Sequence, residues 1–183
     1  GFGPSLRNGA TMRFMQFPND ALSPANAAPQ QLVDRFGRSI DYLRVSVTDR
    51  CDLRCSYCIP KGFRDFEEPE NWLTFEAVTR VAAAFARLGT KRFRLTGGEP
   101  LLRRNLPDLA RRISALPNVE DLSLTTNGTQ LVKHAQALRD AGVMRLNVSL
   151  DSLRHDCVQH ITGNDCLDHV LDGLRAAQRA GGR

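Results

Sequence analysis

Three cysteines fall within the eight positions of CDLRCSYC, residues 51–58, in a 183-residue chain with five cysteines in all. Thiolates this close can bind a metal, form a redox dithiol or carry an iron–sulfur cluster. A structural zinc site takes four ligands, and the later candidates His134, His155, Cys157, His160, Cys166 and His169 are all far along the chain. A dithiol would use Cys55 and Cys58 and leave Cys51 without a role. A 4Fe-4S cluster held by three thiolates leaves one iron with an open position, where a small ligand can bind. The odd cysteine count and the lack of a charged-then-apolar leader read as metal or redox chemistry in a reducing compartment, so a cytoplasmic setting is expected.

The net charge of +5 rests on 22 Arg against 3 Lys. Arginine suits bidentate recognition of phosphate and carboxylate, so an anionic ligand is one reading and solvated helix faces are the other. No basic run with interleaved aromatics points to nucleic acid, and no apolar run approaches a membrane span, so neither is expected as a partner. At 42% hydrophobic residues the chain can bury a single core of ordinary size.

The elements that must position the cysteines alternate. Strand-like patterns cover residues 42–48, 92–97, 121–128 and 145–151. Four helical patterns follow them. The first has Thr74 as N-cap and an apolar face of Val78, Val81, Phe85 and Leu88, ending at Gly89. The second opens at Asn105 with Pro107 in its first turn and buries Leu109, Ile113 and Leu116. The third carries Leu131, Ala135 and Leu138 up to Gly142, and the fourth carries Leu167, Val170, Leu171 and Leu174 up to Gly181. Such a β-α-β-α series implies parallel strands. Residues 1–35, rich in Pro, Asn, Ala and Gly, are expected to be a disordered extension, with a partial barrel domain over 36–183.

The strands alternate where a parallel sheet covered on both faces would be apolar throughout. Leu43, Val45 and Val47 oppose Arg44, Ser46 and Thr48; Phe93 and Leu95 oppose Arg92, Arg94 and Thr96. The same split divides Leu122 and Leu124 from Ser123 and Thr125, and Leu146, Val148 and Leu150 from Arg145, Asn147 and Ser149. Helices on one face of a curved sheet would leave the other as a polar, concave cavity wall: an α/β arc of a barrel, about four βα units long. The cysteines then lie on the loop after the first strand, at the rim where βα barrels build their sites.

CDLRCSYC resembles the cysteine signature of radical S-adenosylmethionine enzymes, and LTGGEPLLR, residues 95–103, resembles their Gly-Gly-Glu-Pro motif after the second strand. With FGRSIDYLRVSVTDRCDLRCSYCIPKG, LSLTTNGTQL and AGVMRLNVSLDSL, the chain from about Asp34 to Arg179 resembles the GTP 3′,8-cyclase family of molybdenum-cofactor biosynthesis. The resemblance implies an incomplete parallel (βα)6-type radical SAM barrel and a lyase converting GTP to (8S)-3′,8-cyclo-7,8-dihydroguanosine 5′-triphosphate. Another radical SAM reaction, such as peptide modification, and a zinc or redox module stand as the alternatives.

By that resemblance Cys51, Cys55 and Cys58 hold the 4Fe-4S cluster, and Tyr57, Gly98 and Ser149 contact S-adenosylmethionine. The glycine pair Gly97-Gly98 would let backbone approach that ligand closely. Arg44, Arg94 and Thr125 match GTP-binding positions, and all three fall on the polar strand face; the other role open to the arginines is a salt bridge inside the barrel, for example to Asp151. An external electron donor is implied. The family's second 4Fe-4S cluster is expected only in a C-terminal part not represented in these residues, so the chain is expected not to complete the cyclisation unaided. Cys157 and Cys166 read as ordinary thiols, and Gly181-Gly182 as a helix end rather than the family's Gly-Gly tail.

Overall fold

The computed structural model describes residues 31–60, 62–66 and 69–181. Four short strands, β1 (Tyr42–Ser46), β2 (Arg92–Thr96), β3 (Asp121–Thr126) and β4 (Arg145–Val148), form one parallel sheet in the order β1-β2-β3-β4. Among the described residues five α-helices accompany them: α1 (Phe75–Arg87), α2 (Leu106–Ser114), α3 (Leu131–Asp140), α4 (His155–Thr162) and α5 (Leu167–Arg179). An unbroken strand order means that each crossover advances the sheet by one position, as in a barrel arc. The strands are shorter than their sequence patterns, although backbone bonds such as Val47 N–H to Thr96 O at 2.9 Å carry the pairing a residue past their ends.

The alternation of the strands sorts the two faces. Phe93, Leu95, Leu122 and Leu124 are buried in one core with Val78, Ala82 and Ala86 of α1, Leu109 and Ile113 of α2 and Leu131 and Leu138 of α3, while Leu43, Val45, Leu146 and Val148 pack against it half-buried. The helices therefore lie on the apolar face, and burying each of these large side chains stabilises the sheet by roughly 1.5–3 kcal/mol. Arg44, Ser46, Arg92, Arg145 and Asn147 on the opposite face are exposed. Ser123 breaks the pattern: it is fully buried, with its hydroxyl donating to Phe93 O at 3.3 Å.

Several local expectations change. Thr74 caps α1 as its sequence implies, accepting the Ala77 N–H at 3.2 Å, yet Val81 is 48% exposed while Val78, Ala82 and Ala86 form the buried stripe. Asn105 stands at the α2 cap in the left-handed region, φ 59°, and its side chain makes no capping bond. Helix α4 had no counterpart in the sequence reading. Pairing at the N-terminal side starts before the expected Phe36, with Leu32 N–H donating to Leu88 O at 3.0 Å and an antiparallel bridge between Val33 and Ser39. The expected disorder of residues 1–30 and the role of Gly182 lie outside the described residues.

Helix α5 packs on α3 through Gly173, where an added Cβ would stand 2.7 Å from Gly128 O and 2.9 Å from Leu131 Cβ. Gly173→Ala would gain about 1 kcal/mol of helix propensity. The clash with backbone costs about 1–3 kcal/mol, since neither neighbour is a flexible side-chain end. A net loss of stability is the expected outcome, read as a lower urea midpoint with unchanged slope.

Candidate functional site

Loops following β1, β2 and β3 converge at the C-terminal rim of the sheet. The first carries the three cysteines and is fixed from outside: Arg54 N–H donates to Thr162 O and Ser56 N–H to Ile161 O, both at 2.9 Å. Those carbonyls belong to the last turn of α4, where helix geometry leaves acceptors without intrahelical donors. Inside the loop, Arg54 Nη1 donates to Cys51 O at 2.6 Å and Leu53 O at 2.9 Å, and Cys58 N–H closes a turn onto Cys55 O at 2.9 Å. Leu53 anchors the loop in a second apolar cluster with Val158, Cys166, Leu167 and Val170, against which Cys51 and Cys55 pack.

The second loop is laid directly on the first. Gly98 N–H donates to Thr48 O at 2.8 Å and Glu99 N–H to Arg50 O at 2.7 Å. An added Cβ would lie 2.3 Å from Thr48 O at Gly97, and 2.4 and 2.5 Å from Arg50 O and Asp49 O at Gly98. The glycine pair is expected to let backbone approach a ligand; in the folded chain it also makes room for the carbonyls of the cysteine loop.

Glu99, fully buried, ties the second loop to the third. Its Oε1 accepts from Leu101 N–H at 3.0 Å and the Thr126 hydroxyl at 2.8 Å, and its Oε2 accepts from Asn127 N–H at 2.7 Å. Burial pushes its pKa up, the three donors pull it back, and the charge of Asp52 pushes it up further. The third loop closes the circuit: Asn127 Nδ2 donates to Asp52 Oδ1 and the Thr129 hydroxyl to Asp52 Oδ2, both at 2.7 Å.

Of the candidate ligands, Cys51 and Cys55 are half-buried and Cys58 is exposed. Burial raises the thiol pKa of Cys51 and Cys55, and negative charge at Asp52 and Glu99 adds to the rise at Cys51. Cys51 also senses the charge of Cys55, and Cys55 that of Cys58, so the three occupy one electrostatic neighbourhood. Raised thiol pKa values in an acidic setting favour a cationic centre, which deprotonates the thiols it binds. Among the described residues no three His, Cys, Asp or Glu side chains are placed to share one metal ion. A cubane cluster does not need them to, because each thiolate takes its own iron. This donor set fits such a cluster. Cys166 is buried beneath the loop and Cys157 is half-buried on α4.

The other candidates divide between rim and open face. Gly98, Ser149 and Tyr57 are exposed at the rim; Ser149 N–H continues the ladder onto Thr126 O at 2.9 Å, just past β4. The Tyr57 hydroxyl donates to Asp151 Oδ2 at 2.9 Å, which ties the cysteine loop to the end of β4 and holds the phenol's proton well above the usual range. On the open face Arg44 is the register partner of Arg94, Arg94 of Ser123, and Ser123 of Arg145. Thr125 is half-buried one pleat nearer the rim, beside Asn147.

The charges on this face are unevenly matched. Arg92 pairs with Asp41 at 2.8 Å and Arg145 with Asp121. Among the described residues neither Arg44 nor Arg94 has a carboxylate partner; Arg94 Nε donates to Ser123 Oγ at 3.2 Å and its guanidinium sits 5.5 Å from the Tyr42 ring centroid. Asp151, the acid weighed as an internal partner for these arginines, takes Tyr57 instead. Sequence reading had missed Asp52, Asn127, Thr129 and the α4 carbonyls, which support the site. The Asn-Gly turn after β3 was their one visible signal.

The description of the radical SAM superfamily matches residues 45–183. A GTP 3′,8-cyclase of Erythrobacter litoralis is 50% identical over 156 residues, 84% of this chain and 47% of that protein. GTP 3′,8-cyclase 2 of Pseudomonas aeruginosa is 50% identical over 151 residues, covering 82% and 45%. The chain thus spans about half the length of the curated relatives it matches. Among solved structures, HydG, a maturase of the [FeFe]-hydrogenase, superposes with a TM-score of 0.62 at 16% identity over 76% of this chain and 32% of that one. Methylornithine synthase (PylB) does so with 0.58 at 15%, over 77% and 42%. At such identities the likeness concerns the fold.

Proposed function

The chain belongs to the radical SAM superfamily, and from that premise we propose that it carries the first-cluster half of a GTP 3′,8-cyclase, with GTP taken on the open face of the sheet. Cys51, Cys55 and Cys58 would hold the 4Fe-4S cluster, with Tyr57, Gly98 and Ser149 around S-adenosylmethionine at the same rim. The cluster so held would supply one-electron chemistry toward the sulfonium of S-adenosylmethionine, the electron coming from an external donor. The chain's own task is positioning, in which small displacements are costly. A second cluster, in sequence beyond these residues, belongs to the same reading, as does the cyclised nucleotide product. The roughly 50% identity to named cyclases supports this choice over peptide modification or a zinc module.

One observation carries the substrate assignment. Arg44 and Arg94 sit side by side across β1 and β2 without a carboxylate among the described residues, while Arg92 and Arg145 on the same face each have one. Like charges directly opposite each other on a sheet are destabilising, and a polyphosphate anion between them removes the penalty with charge-assisted hydrogen bonds. Thr125 adds a hydroxyl toward the rim.

The test is equilibrium binding of GTP to the anaerobically reconstituted chain. Arg44→Ala and Arg94→Ala are each expected to weaken binding about tenfold or more, the worth of roughly 1.5–3 kcal/mol for a hydrogen bond to a charged group. Arg92→Ala and Arg145→Ala should change it far less. Equal effects from all four arginines would refute the assignment. No helix among the described residues is long and apolar enough to cross a membrane.

A further inference from the structure

Asn127 lies on the loop after β3, outside the residues assigned to cluster, cofactor or nucleotide, yet its amide faces the cysteine loop. Its Oδ1 accepts from Thr129 N–H at 3.0 Å. That donor on one side and the Asp52 carboxylate on the other fix which end of the amide is oxygen, so Nδ2 faces Asp52. There it has two protons to give. One goes to Asp52 Oδ1 at 2.7 Å, and the other is available to Cys51 Sγ at 3.9 Å.

The surroundings of that sulfur give the contact its meaning. Asp52 Oδ1 stands 4.0 Å from Cys51 Sγ and the Glu99 carboxyl also acts on it, so two acids oppose further negative charge there. The Leu53 backbone N–H also favours charge on the sulfur. Asn127 is itself held from both sides, by its side chain on Thr129 and Asp52 and by its N–H on buried Glu99. A donor so fixed beside a thiolate acts on the electronic state of whatever the thiolate binds.

We propose that Asn127 is a positioning residue for Cys51 and that its amide N–H, donated to the thiolate, raises the reduction potential of the cluster. Hydrogen bonds to ligand sulfurs stabilise the reduced, more negative state of iron–sulfur clusters. The inference rests on the cluster reading above. If the unaltered chain takes up no iron and sulfide, that reading fails; the present one is tested only by variants of a chain that loads.

The experiment is anaerobic reconstitution with iron and sulfide, followed by redox titration monitored in the visible spectrum. Asn127→Leu keeps the volume and removes the donor. Its cluster is expected to be harder to reduce, with about a tenfold smaller reduced-to-oxidised ratio at fixed poise, or ~59 mV for a one-electron couple. Asp52→Asn, which keeps an acceptor for Asn127 and removes the adjacent charge, should shift the potential the opposite way. Asn127→Ser gives a second route should the Leu variant load poorly, because its hydroxyl can still accept from Thr129 N–H and is too short to reach the sulfur. An unshifted potential in a loaded Leu or Ser variant overturns the proposal. So does failure of both variants to take up iron, which would make Asn127 a structural clasp and nothing more.

Discussion

Gly98→Ala is expected to remove most iron uptake from the chain and to lower its stability by about 3 kcal/mol or more, at the upper end of overpacking effects. The added methyl would stand 2.4 Å from Arg50 O and 2.5 Å from Asp49 O, the two carbonyls immediately before Cys51. Both are backbone atoms, and Arg50 O is already held by Glu99 N–H at 2.7 Å. Relief requires the first two loops to separate, carrying Cys51 away from the position set by Arg54. Iron stoichiometry after reconstitution and urea unfolding measure the two effects. A variant that loads normally and loses less than about 1 kcal/mol would show that the rim loops yield to each other freely.

Glu99→Leu should be comparably damaging for the opposite reason, since it removes acceptors rather than adding bulk. Leu101 N–H, Asn127 N–H and the Thr126 hydroxyl would all lose their partner at a fully buried position. Each unsatisfied buried donor costs about 1–3 kcal/mol, so a combined loss of roughly 3–9 kcal/mol is expected in chemical denaturation. Glu99→Gln isolates the charge. Burial outweighs the donors, so the folded pKa lies above the ordinary 4.5 and the folded chain holds this proton more tightly than the unfolded one. The stabilising contribution is complete below pH 4.5 and is lost as pH rises through the folded value. The difference in unfolding free energy between the unaltered chain and Glu99→Gln should fall across that window, while the other carboxylates cancel. A flat difference would mean that the three donors fully offset burial.

The strand alternation was enough to separate a helix-covered face from an open one, because period-two patterns survive wherever one side meets a core and the other meets water. The cysteine spacing was equally legible, since its meaning depends on residue type more than on packing. Val81 misled because hydrophobicity alone ranks valine above alanine; close packing of α1 over the sheet selected Ala82 and Ala86 instead. Helix α4 escaped because eight residues offer few periodic positions, and only Val158 and Thr162 of them are buried. Asp52, Asn127 and Thr129 are ordinary polar loop residues in sequence. Their roles exist only once three strands have delivered their loops to one rim, and a linear pattern carries no record of that meeting.

The pinning of Arg54 and Ser56 to the last carbonyls of α4 bears on the order of events during synthesis. The thiols leave the ribosome about a hundred residues ahead of the backbone acceptors that will hold their loop, a separation typical of slowly closing, non-local contacts. Until translation has passed Thr162, they ride on an unanchored tether open to oxidants and stray metal. On the proposed cluster reading, iron and sulfide offered to the nascent polypeptide would arrive before the docking that shapes the cysteine loop.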